Sequence, residues 1–214
     1  MSKAKRDYSV GEEIANSVTH GMGVVFSIVA LTLLIVTVVL HGGGGWNYAA
    51  AIICGLSLVT EYTFSTLYHG FPWPKTKHVF KILDHAGIYF LIAGSYTPFL
   101  LITLRGTVAG WSIFIIVWTV AFIGIATEAF WTYRPKWVSV LVYVAMGWMA
   151  IFIIGPMAAA LPSQALWLLI GGGLFYTVGA LVYIPRKPYL HSVWHLFVLA
   201  GSVCHFLAII LYVL

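Results

Sequence analysis

Seven long, almost uncharged apolar stretches confine this chain to one kind of fold. They run approximately Val18–Leu40, Trp46–Tyr68, Val79–Leu104, Val108–Trp131, Trp137–Leu161, Ala165–Tyr183 and Leu190–Leu214. Each is near or above the roughly 20 residues a helix needs to cross the hydrocarbon of a bilayer. Barrel strands are excluded, because these runs are continuous rather than alternating and about twice as long. With 61% hydrophobic and 8% charged residues, the chain carries more apolar surface than a soluble domain of this size buries. The expectation is an all-α membrane protein, a seven-transmembrane helix bundle, with a polar N-terminal segment over 1–17 and one helical domain over 18–214. The first stretch is too long for a cleavable signal, and it runs into His41-Gly42-Gly43-Gly44-Gly45 with no small-x-small site.

Basic residues set the expected orientation. Lys3, Lys5 and Arg6 precede the first stretch, and Lys75, Lys77 and Lys81 follow the second. Arg134 and Lys136 follow the fourth, Arg186 and Lys187 the sixth, and Arg105 alone falls on the other side. Ten of eleven on one side predicts a cytoplasmic N-terminus and a C-terminus outside. Trp46 and Tyr48 at one boundary, with Trp131, Tyr133 and Trp137 at the other, fit aromatic belts. The net charge of +5 is therefore topological. It is not a nucleic-acid footprint, since the charges sit in separate membrane-flanking loops. Cys54 and Cys204 lie inside apolar runs without metal-type spacing and read as buried free thiols.

This topology gathers chemistry at one membrane face. His191 and His195 open the seventh stretch four residues apart, on one helix face, as a helix presents two imidazoles to one metal. His69 ends the second stretch and Asp84 begins the third, so four metal-competent side chains from three helices share one leaflet. Polar groups are costly there and tend to be functional. Three imidazoles leave one position of a tetrahedral zinc open, as in catalytic sites, at nitrogen distances near 2.0–2.1 Å.

The ordered motifs Glu13-x-x-Asn16-x-x-Thr19-His20, Ser65-x-x-x-His69, Asp84-His85-x-Gly87-Ile88 and His191-x-x-x-His195 resemble the signature of the progestin and adipoQ receptor family. Gly94-Ser95-Tyr96-Thr97-Pro98-Phe99 resembles its bacterial haemolysin III branch. The resemblance covers the chain from about residue 12. It implies zinc held by His69, His191 and His195, Asp84 reaching the metal through water, and Ser65 close by. It also implies kinship with alkaline ceramidases, which hydrolyse a lipid amide, and placement in a bacterial cytoplasmic (inner) membrane with a role in membrane lipid homeostasis.

The remaining polar residues sort by helix position. Ser65 lies one turn before His69 and is placed to steady a zinc-bound water or an oxyanion; the alternative is a bond to its own helix carbonyl. Glu61 continues that face near mid-membrane, where it lines a polar cavity or makes a structural hydrogen bond. His85 points about 100° away from Asp84, which suits a supporting position behind the ligands or a headgroup-facing one, rather than a ligand. Glu13, Asn16 and His20 read as a polar lid, more structural than catalytic. His205 lies about 15 Å beyond His195 and off its face, and Glu128 carries no legible role. Pro98 predicts a kink, and Gly171-Gly172-Gly173 permits close helix approach.

Three functions compete: a zinc-dependent hydrolase of a lipid amide or ester with Asp84 and Ser65 catalytic, a membrane-state sensor or receptor with structural zinc, and a haemolysin-type pore. Membrane lipids are the expected partners, and the oligomeric state is not legible. The topology is directly testable. Cysteines placed beside Lys75 and Lys187 should react with impermeant reagents from the cytoplasmic side, and one beside Leu214 from outside. A cytoplasmic C-terminus would contradict the orientation.

Overall fold

The computed structural model describes residues 8–131, 135–185 and 187–214. Lys3, Lys5, Arg6, Tyr133, Arg134 and Arg186, used above for orientation, lie outside them. The described residues form a helical bundle with seven helices long and apolar enough to cross a membrane.

Helix α1 (Val10–Leu40) starts well before its apolar run. Ser9 Oγ accepts the Glu12 amide and the Glu12 carboxylate accepts the Ser9 amide, a reciprocal cap that ends two orphan donors. The early start puts Glu13 and Asn16 on the helix rather than in a tail. It extends a buried stripe of Asn16, His20, Gly23, Ser27, Ala30, Leu34 and Val38 along one face. The opposite face, including Val25, Val29 and Leu33, is exposed and suits contact with lipid.

Helices α2 (Gly45–Gly70) and α3 (Pro74–Pro98) follow as a tight antiparallel pair. A Cβ at Gly87 would collide with the Glu61 carboxylate, and one at Gly94 with Ser57, so these glycines let the two backbones close. Pro98 does not simply kink α3. Lacking an N–H, it ends the regular ladder, and the chain continues as a wider π-turn over Phe99–Thr103, with the Leu104 amide reaching Phe99 O at 2.9 Å.

Helix α4 (Val108–Phe130) packs on α3, where the Tyr89 ring occupies the space a Cβ at Gly124 would need. The fifth span is α5 (Lys136–Gly147), a 3₁₀ stretch (Trp148–Ile153) and α6 (Ile154–Ala160). Its break has a visible cause. Tyr96 OH, from α3, donates to Gly147 O at 2.5 Å and accepts the Ala150 amide at 2.8 Å, inserting into the backbone ladder.

Helices α7 (Ser163–Tyr183) and α8 (Leu190–Tyr212) complete the bundle. Gly172 faces the Gly201 carbonyl and the His205 ring, and Gly179 faces Phe197, so the pair approaches closely at α7 glycines. Short connections alternate the helix directions. The start of α1, the end of α2 and the starts of α3 and α8 therefore meet at one end of the bundle. Lys75, Lys77, Lys81 and Lys187 lie at that end, and Arg105 at the other.

Candidate metal centre

At that shared end, His69 of α2 and His191 and His195 of α8 each offer a ring nitrogen, all within 4.8 Å of one another. His69 Nε2 and His191 Nε2 are 3.2 Å apart. Three imidazoles around one tetrahedral zinc would place their nitrogens about 3.3 Å apart, given bonds of 2.0–2.1 Å. His195 is wholly buried and His69 almost so.

Hydrogen bonds from α1 decide which nitrogens face the centre. Glu13 Oε2 lies 2.7 Å from His69 Nδ1, and a carboxylate there can only accept. Nδ1 therefore carries the proton, and a neutral His69 presents a bare Nε2 lone pair. Asn16 Nδ2, at 3.4 Å from the same Nδ1, is too distant to compete. His195 Nδ1 lies 3.2 Å from Asn16 O and 3.0 Å from Thr19 Oγ1. The Thr19 hydroxyl already donates to the Ala15 and Asn16 carbonyls, at 2.9 Å each. His195 Nδ1 is therefore also a donor, leaving Nε2 bare, and that atom is buried without a hydrogen-bond partner. A metal-ligating histidine whose other nitrogen is fixed by a carboxylate or carbonyl is arranged this way.

The supports are themselves tied down. Glu13 Oε1 pairs with Lys77 Nζ at 2.8 Å, and Lys77 also donates to Tyr68 O at 2.8 Å. Asn16 Oδ1 accepts from Ser192 Oγ at 2.5 Å, locking α1 to α8 beside His191. Glu12 Oε1 accepts the Tyr189 amide at 3.2 Å. Tyr189 caps α8 in the left-handed region, at φ 61°, a strained conformation for this residue. The Tyr8 ring lies 4.9 Å from the His191 ring and 5.6 Å from that of His69. The start of α1 thus closes this end of the cluster.

Asp84 and Ser65 sit one layer deeper. Both are buried and adjacent, yet neither Asp84 Oδ1 nor Ser65 Oγ makes a hydrogen bond of acceptable geometry among the described residues. Asp84 is not part of the three-histidine cluster, so its carboxylate lies outside direct ligand distance. Glu61 follows one turn further in, with Oε2 also buried and unpartnered. Three ring nitrogens this close, with their other nitrogens fixed as donors on His69 and His195, suit a cation held by nitrogen. The imidazole donor set fits zinc and equally other first-row metals such as copper, iron or nickel.

The other expected residues fall elsewhere. His20 stacks on His195 with ring centroids 3.5 Å apart and touches the Tyr62 ring edge-on. His85 turns away to within 3.7 Å of Glu128 Oε2. Glu128, without a legible role in the sequence, is wholly buried and receives the Tyr143 hydroxyl at 3.4 Å. His205 bonds Leu169 O at 3.3 Å, far along α8. Sequence reasoning missed the anchoring roles of Thr19, Lys77 and Ser192. Thr19 sat in the first motif and Lys77 in a basic loop, but a side chain's partner on another helix has no local signal.

Glu61 also lines a cavity of about 350 Å³ among α3, α5, α7 and α8. It extends from Ile88 to Phe99 along α3 and from Trp194 to His205 along α8, or about 16 Å at the helical rise. Its walls are mostly apolar. The three histidines are not among its lining residues; Trp194 and Glu61 are its nearest approach to them.

Seven membrane-crossing helices with a buried three-histidine cluster at one end define a polytopic integral membrane protein with a metal-competent centre. The chain belongs to the haemolysin-III-related family, which matches residues 8–206. It is 46% identical to hemolysin-3 of Bacillus cereus over 206 residues, covering 96% of this chain and 93% of that one. It is 42% identical to a hemolysin-3 homolog of Bacillus subtilis, covering 96% of each. A human relative, monocyte to macrophage differentiation factor, is 30% identical over 92% of this chain and 83% of its own length.

If Glu13 fixes the His69 tautomer, Glu13→Ala, which leaves no acceptor at Nδ1, should weaken metal binding about 10–100-fold without unfolding the protein. Competition titration with a metal-sensitive dye would measure this. Affinity equal to wild type would remove Glu13 from the centre.

Proposed function

We propose that this protein is a zinc-dependent hydrolase of a lipid amide or ester in a bacterial cytoplasmic membrane, with its N-terminus and histidine end facing the cytoplasm. The observation that carries this reading is a three-histidine cluster with two imidazoles fixed from α1, at the same end of the bundle as a buried Asp84–Ser65 pair whose Oδ1 and Oγ lack hydrogen bonds. His69, His191 and His195 would hold zinc, which when bound polarises a carbonyl and makes water more acidic. Asp84 is placed to accept a proton from water, since its Oδ1 is buried with no donor of its own. Ser65, one helical turn from His69, is placed to donate to a developing oxyanion. The 350 Å³ cavity suits a hydrocarbon chain, and Glu61 gives it one acidic wall. Turnover of such lipids would serve membrane lipid homeostasis.

A second reading has one observation in its favour. The histidines do not line the cavity, and Tyr8 covers their other side. A structural zinc clamping α2 to α8 in a membrane-state sensor would be closed in this way.

Asp84→Asn separates the two. For the hydrolase, the variant should retain metal and lose about 100-fold or more of its turnover, because an amide cannot accept the proton. His191→Ala should lose metal and activity together. Metal content, melting temperature and hydrolysis of a ceramide-like amide on the same preparations would decide. Full activity in Asp84→Asn would discard the proton-acceptor role, and wild-type protein that hydrolyses no lipid amide or ester would favour the sensor.

A further inference from the structure

We propose that the Trp194 indole is a movable partition between the three-histidine cluster and the cavity, and that its position sets whether an apolar ligand reaches the metal. This rests on the metal reading above and adds the residue that controls access. Trp194 is buried between the two α8 histidines in sequence, with its ring 4.9 Å from His191 and 5.2 Å from His195. On its other side it lines the 350 Å³ cavity. It also lines a second space of about 30 Å³ with His85, Ser139 and Tyr183. The two spaces share Ile88, Tyr143, Ala180 and Trp194, so the indole stands where the cluster, the long cavity and the small one meet.

The surroundings leave this side as the apolar approach. At the helix ends, Tyr8 covers His69 and His191, and Glu12 ties the start of α1 to the Tyr189 amide. A ligand lying in the cavity touches Trp194 and Glu61 but none of the three clustered histidines. The indole also has somewhere to go. The small space, about 30 Å³, has room for about two waters at the 10–15 Å³ each requires, enough for the ring to tilt toward it. Across from the indole stands Gly179, where a Cβ would lie 3.3 Å from Trp194 Cδ1. A side chain there would press on the ring. Tyr183, 4.7 Å away, supplies an aromatic surface against which the ring can rest or slide.

The test uses full-length protein in detergent, loaded with zinc, and two chelators. Phenanthroline is flat and apolar and can enter the cavity; EDTA is highly charged and cannot. Trp194→Ala should speed zinc extraction by phenanthroline about tenfold or more, as expected when a gating element is removed, and leave extraction by EDTA unchanged. Trp194→Leu and Trp194→Phe should give intermediate rates in order of size, so the result does not hang on one variant's folding. Rates independent of side-chain size, or equal acceleration with both chelators, would overturn the partition while leaving the metal reading intact. Wild-type protein that takes up no zinc would overturn the metal reading and the partition with it.

Discussion

A buried nitrogen lone pair with no donor to meet it is costly in a membrane, and most of this structure's polar architecture follows from having such atoms. His69 and His195 are held with Nε2 bare because α1 consumes their Nδ1 protons, through Glu13 at 2.7 Å and through Asn16 O and Thr19 Oγ1 at 3.2 and 3.0 Å. A cation shared by the three imidazoles would resolve this cost at all of their bare nitrogens at once. Asp84, one of whose oxygens is buried and unpartnered, lies deeper in the bundle and outside the three-histidine cluster. The three imidazoles, offering nitrogens within 4.8 Å of one another, are arranged as a metal-competent set, with Asp84 and Glu61 buried deeper in the bundle.

The centre explains why α1 begins where it does. A membrane helix needs only its apolar run, yet the Ser9–Glu12 cap starts α1 at Val10 and carries Glu13, Asn16 and Thr19 into contact with α2 and α8. The same turn reaches Tyr189, whose left-handed conformation is held by the Glu12 carboxylate. One amphipathic helix start thereby sets two tautomers and closes the end of the bundle. The distant half is organised differently, by glycines that admit neighbouring side chains and by Tyr96, whose hydroxyl interrupts the fifth span beside the cavity.

Much of this was legible in the sequence. The seven spans follow from hydrocarbon thickness alone, and alternating helix direction brings His69, Asp84, His191 and His195 to one end without any knowledge of packing. Glu61 falls on a cavity wall, but that cavity is mostly apolar and is not lined by the three histidines, unlike the polar cavity its helix position suggested. What stayed hidden depends on contacts between helices. The sequence makes Glu13 and Asn16 look like a passive lid, whereas their distances to His69 and Ser192 make them the fixtures of the cluster. Pro98 signals a break but not that the break is a π-turn, because that depends on which carbonyl the next free amide finds. Trp194 carries no signal as a partition, since an aromatic in an apolar helix usually means only core.

X-ray absorption at the zinc edge of purified, zinc-loaded protein should show one zinc per chain with three imidazole nitrogens and a light fourth ligand, and the imidazole signature should be lost in a His191→Ala/His195→Ala variant. Protein that binds no zinc, or a zinc environment unchanged in that variant, would contradict the three-histidine centre.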